Sequence, residues 1–73
     1  MDEKALKAFL MKENPEFRKA ADEHQACEQT LEELRRKSHP TEADTLLERE
    51  IKKRKLALKD RMYAMMLEHR KTA

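Results

Sequence analysis

TLLEREIKKRKLALKDRMYAMMLEHR, residues 45–70, is the stretch on which the fold turns. Placed on a helix at about 3.6 residues per turn, Leu47, Ile51, Leu58, Met62, Met65 and His69 fall in one narrow sector, and Leu56, Tyr63 and Leu67 fall nearly opposite. One helix therefore has two apolar faces to cover. A single antiparallel neighbour reaches only the first, so the second predicts contact with another segment, another copy of the chain or a target.

Working upstream, Thr41 followed by Asp44 has the capping-box spacing, which starts this helix near Glu42 and lets it run to about Lys71. Ser38-His39-Pro40 ends the element before it. Between Pro15 and about Lys37, Phe17, Ala20, His24, Cys27, Leu31 and Leu34 step by three and four in a heptad-like row, and Arg35, Arg36 and Lys37 complement the helix dipole at its end. A short connection between two long helices gives an antiparallel pair. If the chain folds about residues 40 and 41, facing residues have numbers adding to about 82, and the two rows then match. Phe17 faces Met65, Ala20 faces Met62, His24 faces Leu58, Cys27 faces Lys55, Leu31 faces Ile51, and Leu34 faces Leu47 or Glu48. Small residues on one helix meet long ones on the other, as interdigitation requires.

At the start of the chain, Asp2 can cap a short helix running to about Lys12, on which Leu6, Phe9 and Leu10 share a face. Asn14-Pro15 predicts a break and a restart, because the residue before proline is pushed out of the helical region while Asn caps well and Pro suits the first helical position. A proline kink within one continuous helix is the alternative. This segment has no facing positions left on the long helix. It either folds back over Tyr63, Met66 and Leu67 or reaches a neighbouring copy.

Composition agrees with an all-α hairpin. The 73 residues include no Gly and two Pro, 44% are charged and 38% hydrophobic, and good helix formers dominate. A chain this short rarely buries enough apolar surface to be comfortably stable alone, which favours oligomerisation into a helical bundle. Seventeen bases against fifteen acids leave a net charge of +2, a near balance that implies no global electrostatic partner. With a single cysteine there can be no internal disulfide, and the first residues show no secretory pattern, so a cytoplasmic location is expected. No apolar run approaches the roughly 18 residues that span a bilayer. Insertion of the first helix into a membrane surface through Leu6, Phe9 and Leu10 is disfavoured by its three-turn length and by Asp2 and Glu13.

Asn14-Pro15, Phe17, His24 and the run IKKRKLALKDRMY at 51–63 together resemble the YdcH-like family of small bacterial proteins. The family pattern is an early N-P-x-F, a histidine seven residues after the Phe, an apolar helix, a short polar loop and a K-x-K-L-x-L-K-D segment. Here Asn14, Pro15, Phe17, His24, Lys53, Lys55, Leu56, Leu58, Lys59 and Asp60 occupy the motif positions, and the likeness runs from about residue 6 to 67. Ala20 and Cys27 stand where larger aliphatics are usual. The resemblance implies a helical hairpin of uncharacterised function. It carries over no catalytic residue and no cofactor.

Three sets of residues are candidates for function. Leu56, Tyr63 and Leu67, supplemented by Met66 and by Leu6, Phe9 and Leu10 of the first helix, make an apolar surface suited to self-association or to a protein partner. The basic run Lys52, Lys53, Arg54 and Lys55 with Lys59 and Arg61 is a candidate nucleic-acid contact. Four consecutive helical residues point in four directions, however, and no interleaved aromatics are present for base stacking. His24 and Cys27 are three apart on one face, a spacing for two metal ligands, but His39 and His69 are poorly placed to complete a set, so packing is the expected role and no metal or cofactor is predicted. An enzyme is not expected: there is no Gly-rich loop, no juxtaposed acid and base, and no room for a pocket between two helices.

Overall fold

The computed structural model describes residues 2–72. It contains three helices, α1 (Glu3–Glu13), α2 (Pro15–Arg35) and α3 (Glu42–Thr72), and no strand among the described residues. Helix α1 begins because the Asp2 carboxylate accepts the Ala5 N–H at 2.7 Å, with Glu3 behind it in the positively polarised first turn. It ends at Asn14, whose backbone is extended (φ −116°, ψ 106°). The Asn14 side chain then accepts the N–H groups of Glu16 (3.0 Å) and Phe17 (3.1 Å), and Pro15 takes the first helical position where a missing N–H costs nothing. The chain is broken and restarted there, not kinked.

One contact at this elbow has no sequence signal. The Arg18 guanidinium donates to the carbonyl oxygens of Met11 (2.8 Å) and Lys12 (3.0 Å). Those acceptors belong to the last turn of α1 and have no intrahelical donor, so Arg18 satisfies them and fixes the angle between α1 and α2.

Helix α2 stops at Arg35, a residue or two before the expected end near Lys37, and α3 starts at Glu42 as expected. The capping box is complete. Asp44 N–H donates to Thr41 Oγ1 (3.1 Å), Thr41 N–H donates to Asp44 Oδ2 (2.9 Å), and Lys37 Nζ reaches Asp44 Oδ1 (2.9 Å). The Thr41 N–H foremost, and then Lys37, hold the Asp44 carboxyl below its ordinary value, outweighing the small effect of burial. A carboxyl with a depressed folded-state pKa stabilises the fold above its unfolded value and loses that contribution as pH falls through the folded one. The loop end of the hairpin is therefore expected to loosen below about pH 4. Asp44→Asn should remove that acid dependence at the amides of residues 41–45 in an NMR titration, and an unchanged profile would refute the assignment.

Two groups of buried side chains hold the helices together. Ala20, Cys27 and Leu58 lie between α2 and α3 with Ile51, Met62 and Met65 partly buried against them. Leu6, Leu10, Phe17 and Met66 form the second group, again flanked by Met62 and Met65 and also by Met11. The two methionines common to both groups join the α1 end to the seam, a role suited to unbranched, adaptable side chains. Phe17 is fully buried at the junction of the three helices. Lys55 pairs with Glu28 (3.2 Å) midway along the hairpin and Lys37 with Asp44 at its closed end, both within a residue of the predicted register.

The seam is unequal along its length. Leu31 is buried and Leu34 partly so, but Leu47, assigned to the seam by its heptad position, is 44% exposed. Because α2 ends one residue after Leu34, no further side chain of that helix closes over Leu47. The choice left open for the first helix is also settled within the chain: α1 folds back and buries Leu6, Leu10 and Met66 together.

Candidate interaction surface

Of the apolar residues assigned to an interface, three are already used. Leu6, Leu10 and Met66 are internal contacts of the single chain and are not free to meet another copy or a partner. Phe9 is partly exposed and lies beside His69, with ring centroids 5.1 Å apart and planes tilted by 39°. The face of α3 opposite the seam stays open. Leu56 is 60% exposed, Tyr63 55% and Leu67 38%, and Leu46 near the start of the helix is 55% exposed. Docking of α1 thus covers Met66 and stops short of the stripe, because Met66 sits about 60 to 100° around the helix from Tyr63 and Leu67.

The fold also builds a concavity that a bare two-helix arrangement would lack. A groove of about 590 Å³ runs between the start of α1 and the hairpin, with Met62, Met66, Leu56 and Tyr63 as apolar lining and Lys7, Glu28, Lys55 and Lys59 among its charged walls. The expectation that there is no room for a pocket is corrected here: by folding back, α1 supplies a third wall. His24 also lines this groove, half-buried, whereas Cys27 is a buried free thiol beside Ala20 and Leu58. Among the described residues, no group of three His, Cys, Asp or Glu side chains lies close enough together to hold a metal ion.

The basic run is dispersed as its spacing implied. Lys52 pairs with Glu48 (3.2 Å), Arg54 with Glu23 (3.7 Å) and Lys55 with Glu28 (3.2 Å). The last two cross from α3 to α2 and are partly exposed, so they add little stability; Lys55 with Glu28 falls on the register, whereas Arg54 reaches along α2 to Glu23, which lies off it. Lys53, Lys59 and Arg61 are exposed and make no ion pair among the described residues.

The hairpin with its seam, from Phe17 to Met66, is also the portion that matches a known family, described as a protein of unknown function (DUF465), over residues 17–66. The chain belongs to this family, the YdcH-like small proteins. Comparison with curated proteins and with solved structures gave no match. In this YdcH-like chain the matched span ends at Met66 and begins after α1, so the family pattern covers the hairpin and most of the open α3 face but not the helix that folds over its end. No helix among the described residues is long and apolar enough to cross a membrane.

Proposed function

We propose that this protein is a self-associating interaction module of the cytoplasm, a helical hairpin that joins copies of itself through the outer face of α3 and offers its charged exterior to a protein partner. The observation that carries this reading is the row Leu56, Tyr63 and Leu67, left in solvent after α1 has docked. In a chain of 73 residues with so few buried side chains, an aligned apolar row on a helix back is a costly feature unless something covers it. A free, buried Cys27 suits a reducing compartment. The rival reading, contact with nucleic acid through the basic run, is weakened because Lys52, Arg54 and Lys55 are engaged by carboxylates of their own chain.

Leu56→Asp combined with Tyr63→Asp is expected to shift sedimentation toward the monomer and to lower the melting temperature, since association stabilises the folded chain by mass action. A double variant unchanged in both mass and melting removes the reading.

A further inference from the structure

We infer that the occupant of the open α3 face is the same face of a second copy, laid antiparallel with a two-fold axis at Leu56. This rests on the self-association reading and specifies its geometry. The exposed stripe is nearly palindromic about that residue. Arg49 stands seven positions before Leu56 and Tyr63 seven after it; Leu46 stands ten before and Leu67 eleven after; Lys53 stands three before and Asp60 four after.

In an antiparallel pair related by a two-fold axis across the helices, the same flank of each helix meets its counterpart, in contrast to the crossed flanks of a parallel pair. Leu46, Lys53, Asp60 and Leu67 all lie to the same side of Leu56, by about 80, 60, 40 and 20° around the helix, while Leu56 and Tyr63 run along the centre of the stripe. Pairing at Leu56 therefore brings Leu46 against Leu67 of the second copy and Lys53 against Asp60 of the second copy, each contact occurring twice. Arg49 comes over the Tyr63 ring, where a guanidinium is attracted by the aromatic face. All four large exposed side chains in this stripe are covered by a single register.

The charges point the same way. Lys52, Arg54 and Lys55 each have a carboxylate within their own chain, yet Arg49, Lys53 and Asp60, the three the register would use, have no ion-pair partner among the described residues. Helix α3, of 31 residues, is about 46 Å long, so contact from Leu46 to Leu67 needs only the shallow crossing of about 20° common in bundles. The opposite flank is the unfavourable one. There Lys52, held by Glu48 at 3.2 Å, approaches Lys59 of the second copy.

Charge reversal tests the register on the full-length chain. Lys53→Glu and Asp60→Lys each place like charges together twice across the axis, and each should weaken self-association about tenfold or more in sedimentation equilibrium. Circular dichroism should be unchanged, because both residues are exposed. An equimolar mixture of the two variants makes every such contact attractive and should recover the wild-type strength as a mixed pair. Lys59→Glu alone should tighten the assembly. A wild-type chain that is monomeric up to about 1 mM would overturn this pairing and the self-association reading together. A wild-type chain that associates but ignores both reversals, with no gain on mixing, would overturn the antiparallel pairing and leave self-association standing.

Discussion

Replacing Phe17 by Ala should cost about 3–5 kcal/mol of folding stability, the range for truncating a buried aromatic side chain. For a domain of this size the whole stability is about 4–11 kcal/mol, at roughly 0.05–0.15 kcal/mol per residue, so this one change removes a large share of it. The reason is position. Phe17 is in the first turn of α2, fully buried, and it touches the cluster that joins Leu6 and Leu10 of α1 to Met66 of α3. Removing the ring opens a void at the one place where all three helices meet. Met11, Met62 and Met65 border it and are flexible enough to lean inward, so the loss should fall toward the lower end of the range, and Phe17→Leu should lose less still. Urea unfolding followed by circular dichroism measures both. A Phe17→Ala loss below about 1 kcal/mol would mean that the α1 cluster contributes little.

Local chemistry in this chain was legible in the sequence wherever it depended on neighbours within four residues. Asp2, Asn14-Pro15 and Thr41 with Asp44 act on the backbone next to them, so their spacing was enough to place three helix starts that the structure reproduces. The hairpin register was readable for a related reason: a short loop leaves one alignment of two apolar rows, and Lys55 with Glu28 confirms it. What depended on end effects was not. Leu47 has the right periodicity for the seam, but periodicity says nothing about a neighbouring helix that stops a residue or two short of its expected end. Arg18 looks like any exposed base until α1 turns back and aims two bare carbonyls at it. The groove beside His24 could not be read either, since its third wall comes from the segment whose placement the sequence left open between two alternatives.

The largest effect is expected from Leu58→Asp. Leu58 is the buried residue of α3 that packs against Ala20 and Cys27, and losing a leucine there costs about 2–5 kcal/mol before any charge is considered. An ionised carboxylate in the same place adds a desolvation penalty, because the Leu58 position is almost fully buried. The sum approaches or exceeds the stability available, and the variant should be largely unfolded at neutral pH. Its pH dependence gives a sharper check than its instability. Burial raises the folded-state pKa of the introduced carboxyl above the unfolded value near 3.9, so the penalty is present at neutral pH and vanishes as the group protonates. Helicity of Leu58→Asp should therefore rise, relative to that of the wild-type chain, as pH is lowered from about 7 to 5. Leu56→Asp, two residues away, is the matched control: the same chemistry on the open face should leave the isolated hairpin helical and insensitive to that pH change. If the two variants behave alike in dilute solution, the division of α3 into a buried face and an open one fails, because that division is the only physical difference between them.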